Sequence, residues 1–223
     1  MTNRSIQPAI RTVLVRSLFA AILALVCTVG MANYAVAESV TPPPTPIDIT
    51  PPAGNTAFAV GHAFGSQGYV CLPDPKTGAT SWTINAPRPE ATLFVNVFGL
   101  TVQEITHFAS VNTNPIDPTV PVPLGGNATW QSSLDSSKVW AAAVGHIDAG
   151  TDASCPNNGS IQCLLLKSLG NQQGPTGGSF LFKTTFVQRL NTKGGLAPTT
   201  ACTVGQTQLQ PYTADYYFFR ADR

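Results

Sequence analysis

The chain has 223 residues, of which only 10% are charged, and its 12 basic and 11 acidic side chains give a formal net charge of +1 at pH 7. Three of the basic residues precede position 38, so the remainder carries nine basic and 11 acidic residues and a charge of −2. This balance excludes the clustered positive surface with which proteins bind nucleic acid or anionic membranes.

The N-terminus has the pattern of a secretory signal peptide. Its first 16 residues contain three arginines and no acid, an apolar run follows over residues 18–30, and the small residues Ala35-Val36-Ala37 mark a cleavage site. The apolar run is shorter than a membrane-spanning helix requires. We therefore expect residues 1–37 to be removed, the mature chain to have no membrane span, and the protein to be secreted or periplasmic.

Residues 38–56 are rich in proline and threonine. Proline has no amide hydrogen to give to a strand ladder, and it resists helix formation. This segment is therefore predicted to be an extended tether. A single β domain is expected to follow it over residues 57–223.

The pattern after the tether is typical of short strands. Residues 58–62 and 69–72 flank a turn containing glycine and serine and predict a hairpin. The clearest alternation comes late, over residues 180–190, where even-numbered and odd-numbered positions define the two faces of a strand. Further short strands are predicted at residues 91–96, 105–108, 128–131, 139–144 and 212–219.

Helical patterns are nearly absent after the signal peptide. Residues 161–169 form an apolar run that fits a short helix or a buried strand equally well. The chain also contains 19 glycines and 19 prolines, many of them between the predicted strands. The sequence therefore favours an all-β fold, an antiparallel β-sandwich or barrel-like sheet with long Gly/Pro-rich loops and at most one short helix.

Four cysteines remain after the signal peptide, and an even number in an exported chain predicts two disulfides with three possible pairings. Cys155 and Cys163 flank a turn-like Pro-Asn-Asn-Gly segment, so a local bond between them is the preferred pairing. Cys71 would then bond to Cys202. A zinc site is the alternative, but the chain lacks the paired C-x2-C spacing that such a site needs.

Several stretches along the domain resemble a known family. They include residues 69–71, 91–94, 107–108, 129–130, 164–166, 187–198 and 212–216, and the most specific is Val-Gln-Arg-Leu-Asn-Thr-Lys-Gly-Gly at 187–195. On these residues the chain resembles the exported bacterial and fungal family catalogued as domain of unknown function 3455. The resemblance implies an exported, mostly β domain with no established reaction. The chain departs from the family at Gln162-Cys163, where members commonly have Pro-Trp.

Four residues are the candidates for a ligand site: His107, Trp130, Asp135 and Arg189. His107 and Asp135 would exchange hydrogen bonds, Trp130 would stack, and Arg189 would hold negative charge. These residue types suit a small polar ligand or a glycan. The predicted function is therefore a non-catalytic binding domain of the cell envelope or exterior. No cofactor is expected, and a nucleotide cofactor is rejected because the chain has no G-x-G-x-x-G between a strand and a helix.

Other interpretations of the same residues stay open. His62, His107 and His146 could hold a metal ion in a hydrolase or oxidase, although their spacing does not force them together. Arg189 could instead form a structural salt bridge with Asp135, Asp215 or Glu90. A third interpretation is a purely structural surface component.

Overall fold

In the part of the chain that the structure describes, eight antiparallel strands follow one another in chain order and close into a barrel. The computed structural model describes residues 40–97, 100–113, 119 and 126–222, of which residues 85–89 and 97 by their strand assignment alone. The strands are β1 (Asn55–Pro73), β2 (Thr80–Val97), β3 (Leu100–Ser110), β4 (Asn127–Ser132), β5 (Lys138–Ile147), β6 (Cys163–Gln172), β7 (Thr184–Gly194) and β8 (Thr207–Ala221). The predicted signal peptide, residues 1–37, lies outside the described residues.

Closure of the ring depends on the pairing of the first strand with the last. Asn55 lies opposite Ala221, and the antiparallel register continues to Val70 opposite Thr207. The all-β prediction is confirmed, and of its two architectures the structure adopts the barrel. Side chains alternate across each strand, so one face of the sheet forms the interior. The fully buried interior side chains include Leu93, Ile105, Trp130, Val187 and Phe218.

The hairpin predicted at residues 58–72 is wrong, because the segment is one continuous strand, β1. The glycine and serine that suggested a turn lie within the strand. A Cβ atom on Gly65 would come within 2.1 Å of the Glu90 carbonyl oxygen. Glycine at this position therefore allows β1 and β2 to approach closely, and a bulge between Gln67 and Tyr69 adjusts the register.

Two segments in the second half of the chain, 161–169 and 180–190, contribute to strands whose limits differ from the predicted ones. The apolar run at 161–169 contributes to β6, not to a helix. The strand predicted at 180–190 begins only at Thr184, because Lys183 has a φ of 73° and a bulge lies between Thr184 and Phe186. After this bulge, Val187 faces the barrel interior.

The proline-rich segment contacts the barrel instead of extending as a free tether. Residues 40–54, here called the N-terminal strap, contain a 3-10 turn at Ile47–Ile49. Ile49 is 0% exposed within a second apolar cluster, and its carbonyl oxygen accepts a 2.7 Å hydrogen bond from Gln188 Nε2. Gly145 permits this contact, because a Cβ atom there would lie 1.9 Å from the Asp48 carbonyl oxygen.

Both preferred cysteine pairings are present. Cys71 is bonded to Cys202 and joins β1 to the loop between β7 and β8. Cys155 is bonded to Cys163 within the connection from β5 to β6. Among the described residues, no helix is long and apolar enough to cross a membrane.

Candidate functional site

A cleft opens at the end of the barrel where the β5–β6 and β7–β8 connections lie. Its volume is about 620 Å³, within the range typical of small-molecule sites. Residues of β1, β2, β6 and β7 contribute to its walls, together with the β5–β6 loop. The lining residues are Gln67, Tyr69, Ile84, Asp148, Ala149, Asn158, Gly159, Ser160, Ile161, Gln162, Leu164, Arg189 and Leu196.

Arg189 is the cation of this cleft. It lies directly opposite Leu164 on β6 and Tyr216 on β8, and paired residues of antiparallel strands project from the same side. Since Tyr216 is an interior residue, Arg189 also points to the inner side. Its Nε and Nη2 atoms donate to the Gln162 carbonyl oxygen at 3.2 and 2.7 Å.

The guanidinium has no carboxylate partner among the residues that the structure describes, where no acidic oxygen lies within 4.0 Å of it. The salt bridge considered for Arg189 is therefore not formed with Asp135, Asp215 or Glu90. Asp215 is engaged elsewhere, because its Oδ1 lies 2.6 Å from His62 Nδ1 and its Oδ2 accepts from Asn191.

His107 and Trp130 meet inside the barrel. They are paired across β3 and β4, and their rings stack with centroids 4.4 Å apart and planes 5° apart. Burial lowers the pKa of His107 to about 4, even though a hydrogen bond to the Thr129 carbonyl acts to raise it. Nδ1 lies 2.8 Å from that carbonyl oxygen, which can only accept, so Nδ1 carries the proton of the neutral ring.

Three tyrosines extend from this pair towards the cleft. The Tyr212 and Tyr216 hydroxyls are 3.1 Å apart, and the Tyr69 hydroxyl donates to the Gly195 carbonyl oxygen at 2.6 Å. Burial raises the pKa of Tyr69 and Tyr212, and the positive charge of Arg189 opposes both shifts. The charge of Arg189 therefore acts on the barrel interior as well as on the cleft.

Trp130 is 0% exposed, and His107 covers one face of its ring. A sugar stacks on an aromatic ring only where a ring face is open to it. The Trp130 indole Nε1 is buried and has no hydrogen-bond partner among the described residues. Trp130 and His107 thus belong to the barrel interior and do not line the cleft.

Asp135 lies at the opposite end of the barrel, in the turn between β4 and β5. Its Oδ1 accepts hydrogen bonds from the Ser137 amide and hydroxyl, and its Oδ2 accepts from the Phe180 amide at 2.8 Å. Partial burial raises its pKa, but these hydrogen bonds outweigh that effect and the net shift is downward. The structure therefore brings Arg189, His107 and Trp130 towards one region and leaves Asp135 apart.

The three histidines of the metal alternative do not converge. His107 is interior and 3% exposed, whereas His62 and His146 are exposed on β1 and β5. Within the described part of the chain, no three His, Cys, Asp or Glu side chains are grouped as a metal site would require.

Residues 52–220 match the family described as "Protein of unknown function (DUF3455)". The chain belongs to this family. The DUF3455 match includes every residue that lines the cleft, whereas most of the N-terminal strap precedes it. No curated protein and no solved structure matches the chain.

Sequence reasoning selected Arg189 but missed its neighbours in the cleft. Gln67 and Tyr69 lie in the segment that was interpreted as a hairpin, and Ile84 precedes the short strand predicted at 91–96. The pairing of Tyr69 with Ile84 depends on a register shift between Gln67 and Tyr69, which no sequence signal marked. No sequence signal marked the Gln162 carbonyl as the anchor of Arg189.

Proposed function

We propose that the protein is an exported, non-catalytic domain that binds a small polar ligand carrying negative charge, and that Arg189 is its principal contact. The signal-peptide pattern of residues 1–37 supports export and cleavage after Ala37. Two disulfides also support it, because such bonds persist in oxidising compartments.

The observation that carries the binding proposal is that the guanidinium of Arg189 has no carboxylate partner among the described residues. A half-buried arginine without an acid partner is costly unless a ligand or solvent completes its contacts. Arginine has five N–H donors, and the two hydrogen bonds to Gln162 leave donors available. Carboxylates match the planar donor geometry of this group.

Asp148 sets the charge balance at the rim of the same cleft. It is exposed, and its Oδ1 accepts a 2.8 Å hydrogen bond from Gln162 Nε2. Its negative charge opposes an anionic ligand, although solvent screens the repulsion. The variant Asp148→Asn keeps the size of the side chain and should strengthen anion binding.

The test is calorimetric titration of the disulfide-bonded protein with acetate, glucuronate and octanoate. At least one of these carboxylates should bind, and Arg189→Gln should weaken that binding roughly tenfold or more. Arg220→Gln is the matched control, since Arg220 is an exposed arginine at the other end of the barrel, over the Phe58 ring. Binding that is equal in wild type and Arg189→Gln, or no binding of any probe, would refute the proposal.

A further inference from the structure

The cleft around Arg189 is apolar on several sides. Ile84 lies directly opposite Tyr69 across β1 and β2, and Leu164 lies directly opposite Arg189 across β6 and β7. Because each pair projects from one side of the sheet, these side chains face the same space. Leu196 joins them from the segment that follows β7.

Two of these apolar side chains are exposed to solvent. Ile84 is 59% exposed and Leu196 is 47% exposed. A single exposed apolar side chain is ordinary on a protein surface. Here both line one concave site together with Leu164, and an apolar lining with few polar groups is typical of small-molecule sites.

The polar groups of the cleft are mostly engaged within the protein. The Tyr69 hydroxyl donates to a backbone carbonyl, and the Gln162 amide donates to Asp148. Donors remain at Arg189 and at Gln67, whose Nε2 makes only a 3.5 Å contact with a neighbouring carbonyl oxygen. They also remain at Asn158 and Ser160, whose side-chain oxygens accept hydrogen bonds from backbone amides.

From this combination we propose that the ligand is an organic carboxylate with a substantial hydrocarbon portion. The carboxylate binds the guanidinium of Arg189, with the amide of Gln67 as a second donor. The hydrocarbon portion lies against Ile84 and Leu196. This inference rests on the proposed function, because it specifies the class of anion that the same cleft takes.

The first experiment compares three probes by calorimetry, at concentrations below micelle formation. Octanoate should bind at least roughly tenfold more tightly than glucuronate, because it adds apolar burial to the same carboxylate contact. Octanoate should also bind more tightly than 1-octanol, which has the chain but not the charge. Equal affinities for octanoate and 1-octanol would overturn the assignment of the carboxylate to Arg189.

The second experiment removes the apolar walls. Ile84→Ser and Leu196→Ser should each weaken octanoate binding by roughly three- to tenfold and leave glucuronate binding unchanged. Both side chains are largely exposed, so the variants are expected to fold. Leu209→Ser is the matched control, because Leu209 is exposed on β8 and does not line the cleft. If the control weakens octanoate as much as the other two variants do, the binding is nonspecific and the inference fails.

The outcomes separate this inference from the function on which it rests. If glucuronate binds as tightly as octanoate and both depend on Arg189, the hydrocarbon preference is overturned and anion binding stands. If octanoate binds equally to wild type and Arg189→Gln, both proposals are overturned. Octanoate binding that depends on Arg189, Ile84 and Leu196 supports both.

Discussion

His107 is a titratable residue that lies buried inside the barrel. It is enclosed by the Trp130 ring on one face and lies 5.3 Å from the Tyr216 ring, centroid to centroid. Its neutral form is favoured first by burial and then by the nearby charge of Arg189. A proton on this ring would therefore disturb the packing at the centre of the barrel.

The low pKa of His107 predicts a pH-dependent stability. The pKa is about 4 in the folded protein against an ordinary value of 6.5, so the unfolded chain binds the proton first as the pH falls. The free energy of unfolding should therefore decrease between pH 6.5 and pH 4, by about 3 kcal/mol from this group. Urea denaturation at several pH values measures the decrease.

His107→Gln should remove this part of the pH dependence, whatever its effect on stability at pH 7. His146→Gln is the control, because His146 is exposed on β5. A His107→Gln variant that keeps the wild-type slope between pH 6.5 and pH 4 would show that another group is responsible.

Asp135 is predicted to act on stability and not on ligand binding. Asp135→Ala removes three hydrogen bonds and separates the β4–β5 turn from Phe180, so the free energy of unfolding should fall by about 2 kcal/mol. Asp152→Ala should have a smaller effect, because the hydrogen bonds that the structure describes for the Asp152 carboxylate come from Ser154, within its own turn. Thermal denaturation measures both changes. Octanoate affinity should be unchanged in Asp135→Ala, and a loss of affinity would show that Asp135 takes part in binding.

At the scale of elements, the N-terminal strap is predicted to be part of the folded domain. Ile49→Ala should lower the free energy of unfolding by about 2–4 kcal/mol, because Ile49 fills a closed cluster with Leu165 and Leu190. Ile47→Ala tests the same short turn at a position that is 84% exposed, and it should change stability by less than about 0.5 kcal/mol. Equal effects of the two substitutions would mean that the strap does not pack in solution.

The strands were predictable where alternation was clean and unreliable where glycine or proline interrupted it. Residues 212–219 were placed correctly within β8, because Tyr212, Ala214, Tyr216 and Phe218 alternate without a break. Gly65 appeared to mark a turn. Its actual role is to let β2 approach β1 closely, which sequence alone does not show. The prolines of the strap likewise concealed the buried Ile49.

The candidate site was predictable by residue type more than by position. Arg189 was selected because a charged side chain in an apolar strand needs a partner, and the structure shows no carboxylate partner among the described residues. Asp135 was selected by the same chemistry, but its location depends on the direction of β4, which leads away from the cleft. Residue chemistry thus identified Arg189, whereas the residues around it depend on how the strands close into the barrel.

At the scale of the whole molecule, the two disulfides should contribute unequally. Cys71–Cys202 spans 131 residues, and Cys155–Cys163 spans eight. In the chain-entropy description, replacing the first pair by alanines should lower the free energy of unfolding by about 5 kcal/mol, and replacing the second by about 2.5 kcal/mol. Urea denaturation of the two double variants gives the comparison. A larger loss from the short loop would show that packing around Cys155 outweighs the entropy of the unfolded chain.

The pairing of β1 with β8 also bears on the order in which the chain can fold during synthesis. The long edge of β1, from Asn55 to Val70, finds its partner only when residues 207–221 have been made. Until then the nascent sheet keeps an open edge, and open edges favour association with other chains. Contacts between such distant segments also form slowly. Closure of the barrel is therefore a late step of folding, in which the first and last strands of the domain are joined.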